Sequence, residues 1–443
     1  MKHKWCVVTL IVAAMTTLWI ATGPPALAGA PAATDFSGQL SLWSGYPEMG
    51  PLYEKIIADF QAKYPKVKVS YLTHPLREYE QKLAATIPTD TGPDVFEGSL
   101  YANLKFIEAG LLPVVPAGVL DQTKGMYDDF LVDYNTIQGK RYSIPFFEGR
   151  PAIFYNKTCL KEAGLPDPAP DKAMDWPTFI QYAQKTTQRD AAGKVTRAGL
   201  SLRLSGAGSG IAEKFWIIGM PHGLDALSQN KEGKWKAAYN TEAGLKTLQM
   251  YVDMLYKWKT DSHDLKHDAE GFELGISCMF QRETWVIGDI AQKAPNLSYG
   301  TMPLPKDTAW KYLRNSFSLY VTRSTKNPAL AWEFVQFMVR PEYQKFMLDR
   351  VGWLPSRKDV DYSEVFAKKP AFKAFLVADP AYKSTGTPRI GVFDEIWTKL
   401  AERLTTMYLD KALLDNPAGM KKALDDAAAE TNTILKREKL YGE

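Results

Sequence analysis

The chain is poor in the residues that thiol, imidazole and metal chemistry need. It has five His and three Cys in 443 residues. It contains no HExxH, no CxxC, no GxSxG and no S-x-x-K near an S-D-N. His263 and His267 stand at i, i+4 beside Asp264 and Asp268, but "DSHDLKHDAEG" reads as a polar surface loop. No catalytic residue, no metal and no cofactor is therefore expected. Cys159 and Cys278 are too few for a disulfide framework and read as buried free thiols. The chain also lacks any basic block, and its net charge is only +4. That balance argues against nucleic acid as a partner. No short repeat is visible, which excludes a solenoid. Beyond the N-terminus no apolar run reaches the ~18 residues of a membrane span.

What is present begins with the N-terminus. Lys2 and Lys4 precede an apolar run, Trp5 to Ile20. Gly23, Pro24 and Pro25 then break any helix, and Ala26-Leu27-Ala28 supplies a small-x-small pattern. This is the form of a secretory signal peptide over residues 1–28, cleaved after Ala28 or, nearly as well, after Ala30. No twin-arginine pair precedes the run. Cys6 sits at its start, not its end, so it is not the lipid-bearing Cys of a lipoprotein. Export to the periplasm as a free, monomeric protein follows as the expectation. Losing Lys2 and Lys4 turns 54 basic residues into 52 against 50 acids, a net +2. The 12 Trp, 22 Tyr and 20 Phe exceed what a modest core needs and favour a surface that stacks on something.

The length suggests two or three domains. "GQLSLWSG" (38–45) alternates like a strand, and Ile56, Ile57, Phe60 and Tyr64 recur at helical spacing. "KVKVSYL" (66–72), a helix from Leu76 to Ile87 and "PDVFEG" (93–98) continue the order strand, helix, strand. That order predicts an open α/β sheet with parallel strands and crossover helices. A second block repeats it. "RYSIPFF" (141–147), "PAIFYN" (151–156), "AGLSLRL" (198–204), "LGISCMF" (274–280) and "LSYGTMPLP" (297–305) read as strands. Helices are expected over Thr158–Ala163, Trp176–Thr187 and Thr241–Tyr256. Two more are expected after Asn327 and Asn416, which read as N-caps ahead of Pro328 and Pro417.

Six stretches carry a family resemblance in sequence order. They are "LWSG…PLYEKIIADFQAKYPKVKVSYL", "GPDVFEGS…EAGLLPV", "GKRYSIPFFEGRPAIFYNKTCLKEAGL", "DWPTFIQYAQKTT", "LGISCMFQRETW" and "NPALAWEFVQFMVRPEYQKFML…GWLPSRK". Together with "NPAGMKKALDDAAAETNTIL" near the end, they resemble extracellular solute-binding proteins of the type of the maltose-binding protein of ABC importers. The resemblance implies a two-lobed periplasmic-binding-protein fold with crossing hinge strands and an interlobe cleft. Lobe one would comprise 34–147 plus 303–357, and lobe two 148–302 plus 358–443. It further implies a carbohydrate ligand, an oligosaccharide above all, and permease subunits in the inner membrane as partners.

In an open α/β sheet, ligand groups gather beyond the carboxyl ends of the strands. A sugar there needs charged or amide hydrogen-bonders around its rim and flat rings against its C–H faces. Tyr46 and Glu48 leave the first strand, with Trp43 read as core. Glu97, Ser99 and Tyr101 follow the third strand. Glu148 and Arg150 fall at the expected hinge, either as a bracing ion pair or aimed into the cleft. Arg203 and Ser205 precede Gly206, Gly208 and Gly210, whose spacing is not a nucleotide fingerprint. Trp285 stands where the family keeps a stacking Trp, with Arg282 and Glu283 just before it. Asn315, Ser316, Trp353, Arg389 and Phe393 complete the candidates, while Trp397 has ordinary core spacing. Two alternatives remain open. One is a secreted hydrolase with a carboxylate pair such as Glu48 and Glu148. The other is the same fold binding an acidic sugar or another anion through Arg150, Arg203, Arg282 and Arg389.

Overall fold

A computed structural model describes residues 35–204 and 208–443. The signal-peptide reading, Ser205 and Gly206 lie outside the described residues. Among the described residues eleven strands build two sheets. In chain order they are β1 (Gly38–Ser44), β2 (Val67–Thr73), β3 (Val95–Ser99), β4 (Ile144–Gly149), β5 (Pro151–Asn156), β6 (Gln188–Arg189), β7 (Val195–Ser201), β8 (Ser277–Glu283), β9 (Tyr299–Met302), β10 (Asn315–Val321) and β11 (Leu354–Pro355). The first sheet has the order β11-β4-β10-β3-β1-β2 and the second β9-β5-β8-β7-β6.

The sequence patterns explain these elements. Along β1, Leu40, Leu42 and Ser44 point inward while the residues between them do not. Helix α1 (Gly50–Lys63) buries Leu52, Tyr53, Ile56 and Phe60, one apolar stripe at the 3.6-residue period. Strands β4 and β5 are buried at every position and read as near-continuous apolar runs, as strands covered on both faces do.

The expectation of parallel strands holds in part. β1 pairs parallel with β2 and β3, and β7 pairs parallel with β8. By contrast β10 is antiparallel to β3 and β4, and β5 is antiparallel to β8 and β9. These are the strands through which the chain passes from one sheet to the other. Only Arg150 separates β4 in the first sheet from β5 in the second. After β9 the chain returns to the first sheet as β10. Such strands enter from the far half and so run against their neighbours.

Two local expectations need correction. The helix read over Thr241–Tyr256 is α-helical only for Glu242–Val252, and its last turn widens to a π-turn over Asp253–Lys257. Asn327 sits at the N-cap position, but its side chain makes no cap hydrogen bond. Asn416 does cap its helix, accepting from Gly419 N–H at 2.9 Å. Cys159 and Cys278 are both buried and free. The C-terminal helices Phe393–Leu409 and Pro417–Arg437 join the core of the second sheet, where Trp397 meets Trp216 edge-on at 5.5 Å.

Candidate functional site

The carboxyl ends of β1, β2, β7 and β8 feed one cavity of about 520 Å³. Beyond β1 come Tyr46, Pro47 and Glu48; beyond β2 comes the first turn of α2 (Leu76–Thr86), with Arg77 and Glu78. From the other sheet, β7 leads to Arg203 and the first turns of α4 (Gly210–Gly219), which carry Glu213 and Ile217. The end of β8 supplies Arg282 and Glu283, and Trp285 stands just before α5 (Val286–Lys293). Because β10 runs antiparallel, its starting residues Asn315 and Phe317 reach the same edge. Tyr101 and Trp353 close the lining.

The wall from the first sheet is aromatic. Tyr46 meets Phe147, Phe317 and Trp353 edge-on at 5.3, 5.5 and 5.9 Å. Trp353 Nε1 donates to Glu48 Oε1 at 3.0 Å. Burial pushes the Glu48 carboxyl above the usual range, and the Trp353 bond only partly opposes it.

The wall from the second sheet is a chain of charges. Lys214 Nζ donates to Glu283 at 2.7 Å, and Arg282 lies 3.2 Å from Glu283 and 2.6 Å from Asp268. Burial opposes ionisation of Glu283, but Lys214 and Arg282 outweigh it and hold the carboxylate at about 2. The Arg282 guanidinium lies 5.2 Å over the Trp285 ring and so covers one side of it. Two side-chain hydrogen bonds tie the walls together. Arg77 Nη2 donates to Ser209 Oγ at 3.1 Å, and Asn315 Nδ2 donates to Glu213 Oε1 at 3.2 Å.

Residues 55–374 match the family of bacterial extracellular solute-binding proteins. The chain belongs to this family. A putative binding protein of Brucella abortus is 22% identical over 398 residues, covering 88% of this chain and 90% of its own. The galactooligosaccharide-binding protein of Bacillus subtilis is 24% identical over 441 residues, covering 98% of each. Among solved structures, an ABC substrate-binding protein of Listeria monocytogenes in complex with cycloalternan superposes with a TM-score of 0.76. The match spans 90% of this chain and all of that one at 17% identity, and it shows the fold. The fold is thus the two-lobed α/β architecture of periplasmic binding proteins.

Within this solute-binding fold, eight sequence candidates share the cavity lining: Tyr46, Glu48, Tyr101, Arg203, Arg282, Trp285, Asn315 and Trp353. Glu283 joins them. Others do not reach it. Glu97 is fully buried behind the wall, where its carboxylate accepts from Gly45 N–H at 3.1 Å and Tyr53 O–H at 2.7 Å. It braces the loop that carries Tyr46. Ser99 is buried at the head of α3 (Leu100–Glu108), its carbonyl accepting from Asn103. Glu148 takes the ion-pair role and not the cleft. Arg314 grips it at 2.5 and 2.9 Å, and Arg150 adds a bond at 3.1 Å. Arg314 also reaches Asp128 at 2.6 Å. A buried carboxylate needs such partners, which is why both Glu148 and Arg150 are withheld from the cavity. Arg389 donates to the carbonyls of Asp133 and Thr136 on another face. Phe393 is core, stacked on Trp397 at 4.8 Å. Ser316 is buried under Asn135. His263 and His267 spend their Nε2 atoms on Tyr408 O and Asp261. Sequence reasoning missed Arg77, Glu213 and Phe317. The first two stand in the opening turns of helices that follow strands, where the strand-end rule finds them.

Proposed function

We propose that this chain is the receptor subunit of an ABC importer and captures a carbohydrate between its two lobes. One observation carries the reading. A single interlobe cavity joins an aromatic wall, Tyr46 and Trp353, to a wall of charged hydrogen-bonders beside Trp285. Rings suit the C–H faces of a sugar, and fixed charged groups suit its hydroxyls. The Bacillus subtilis relative named for binding galactooligosaccharides supports the same class of ligand. Closure about Arg150 and the segment before β10 presents the liganded surface to the permease. The lobes divide near residues 147 and 303 and again near 357. The N-terminal leader directs export, and the processed protein acts as a monomer in the periplasm.

The site captures the sugar without cleaving it. The pair Glu48 and Glu148 cannot serve hydrolysis, because Glu148 is spent on Arg314 and Arg150. A thermal-shift screen of residues 29–443 against neutral and acidic mono- and oligosaccharides tests the reading. A saturable rise in melting temperature with the sugar recovered intact supports it. Release of a shorter sugar refutes it, as does silence across the whole panel.

A further inference from the structure

The cleft's arginines differ in what they have left to give. Arg77 pairs with Glu80 and reaches Ser209. Arg282 is engaged by Asp268 and Glu283. Arg203 makes no hydrogen bond among the described residues. Its nearest carboxylate is Asp268 at 3.8 Å, and Arg282 already holds that group at 2.6 Å. Yet Arg203 is largely covered, with a side-chain exposure of 25%. Burial and the neighbouring Arg282 both pull its pKa below the usual value. A shielded guanidinium with one long ion pair and no hydrogen bond is costly unless something supplies acceptors.

The geometry around it indicates what. A β-carbon on Gly210 would lie 2.7 Å from Arg203 Cζ, so the guanidinium rests directly on the first turn of α4. Three residues on, one turn along the same face, stands Glu213. One Glu213 oxygen accepts from Asn315. Asn315 Oδ1, buried at the cavity, has no hydrogen-bond partner among the described residues. Donors on Arg203 and acceptors on Glu213 and Asn315 therefore line the same cavity, which Trp285 also lines.

Charge argues against an anionic guest. Arg77, Arg203, Lys214 and Arg282 interact with the carboxyls Glu80, Glu213, Asp268, Glu283 and Asp394. Burial pushes Glu80 up to about 7, so it holds a proton part of the time at neutral pH. This surface carries no surplus of positive charge for a carboxylate or phosphate to neutralise.

We infer that Arg203 anchors the ligand, and that with Glu213 and Asn315 it recognises two adjacent hydroxyls of an uncharged sugar ring. The inference rests on the carbohydrate reading of the cleft. A vicinal diol offers two acceptor oxygens to the guanidinium fork and two hydrogens to the acceptors opposite. Arg203 is then the residue that sets specificity for neutral sugars bearing neighbouring free hydroxyls.

The test starts with wild-type protein and a thermal-shift panel. The neutral members are maltotriose, lactose and arabino- and galacto-oligosaccharides; the anions are galacturonate and sn-glycerol 3-phosphate. The neutral sugar giving the largest shift is carried into calorimetry. Arg203→Ala is expected to weaken its affinity roughly ten- to hundredfold, the weight of hydrogen bonds to a charged group. Arg203→Lys keeps the charge but loses the fork, and is expected to lose roughly tenfold. If the alanine variant does not fold, the lysine variant carries the test. Arg437→Ala, whose ion pairs with Glu395 and Glu438 stay within the C-terminal segment and off the cleft, leaves affinity unchanged. Wild-type affinity changes less than about twofold between low and high salt, because no net charge is neutralised. Affinity within twofold of wild type in both Arg203 variants overturns the anchor role. Response to the anions alone, falling steeply with salt, overturns the neutral-diol class. Wild-type silence to every member refutes the carbohydrate reading itself, a result distinct from either.

Discussion

Glu97→Gln separates a brace from a binder and has a calculable signature. Glu97 is fully buried in β3 and forms no ion pair among the described residues. Burial pushes its carboxyl up from 4.5 to about 7, despite bonds from Tyr53 and Gly45. The fold therefore favours the protonated form, and ionising Glu97 in place costs stability. That cost is absent below about 4.5, the value in the unfolded chain. It grows as pH rises between the two values and levels off above about 7. The gap corresponds to about 3 kcal/mol at full ionisation. The substituted amide would mimic the protonated acid, with its carbonyl accepting from Gly45 and its amino group donating to the Tyr53 hydroxyl. Urea unfolding of both proteins at pH 5, 6, 7 and 8.5 measures the difference directly. The variant should gain on wild type by about 2.5 kcal/mol between pH 5 and pH 8.5, since a small part of the cost is already present at pH 5. Glu80 and Glu273, also pushed up to about 7, titrate in both proteins and largely cancel. A gap that stays constant with pH, or that shrinks as pH rises, refutes the account of Glu97.

Three further outcomes are expected. Trp285→Ala removes the ring that Arg282 overlies and should weaken sugar affinity by about 2 kcal/mol or more, read by calorimetry. Trp285→Phe should recover part of that loss. Gly288→Ala drives a β-carbon into Val351 O and should cost about 1–3 kcal/mol in urea unfolding. A wild-type midpoint in that variant contradicts the close approach of the two segments. Native protein should show no thiol reactive to a disulfide reagent, because Cys159 and Cys278 are buried. After denaturation the exported protein should titrate with two thiols, and a third would mean that Cys6 and the leader remain.

Much of the fold is legible because the relevant signals are local. Alternation in β1 and the apolar runs of β4 and β5 declare strands, and the stripe of α1 declares its buried face. The strand-end rule brings Tyr46, Arg203 and Trp285 to one cavity, since each follows a strand of known direction, whereas Asn315 reaches it from the start of the antiparallel β10. What is illegible depends on distant partners. Glu97 and Tyr101 lie four residues apart in one stretch, yet one faces Tyr53 behind the wall and the other the cavity. Nothing local marks which face is the back. Glu148 reads as a cleft candidate because Arg314, 166 residues away, is invisible from its neighbourhood. Arg389 misleads likewise, as its acceptor Asp133 O lies 256 residues earlier. Ion pairs across a fold leave no trace in spacing, whereas strand ends do.

The two walls meet through contacts of different kinds, and the difference bears on how the cleft would open. Gly352, with φ at 93°, brings the chain against the turn into α5, where its β-carbon would lie 2.9 Å from Gly288 N. That is backbone on backbone beside Trp353 and Trp285, and only glycine on both sides permits it. Across the cavity itself, Arg77 to Ser209 and Asn315 to Glu213 are side-chain hydrogen bonds of ordinary length, while Arg389 to Asp133 and Thr136 joins the same halves elsewhere. Each contributes about 1 kcal/mol net in a solvated cleft. Together these two cavity bonds contribute about 2 kcal/mol, and a ligand that prefers the closed form by a few kcal/mol would outweigh them. The stiff parts lie elsewhere, in the Arg314–Glu148–Arg150 network at the crossing strands. The charged network braces the crossing strands, while the bonds across the cavity are of a strength that a ligand outweighs. That is the mechanical requirement for a receptor whose closure must report that a solute is bound.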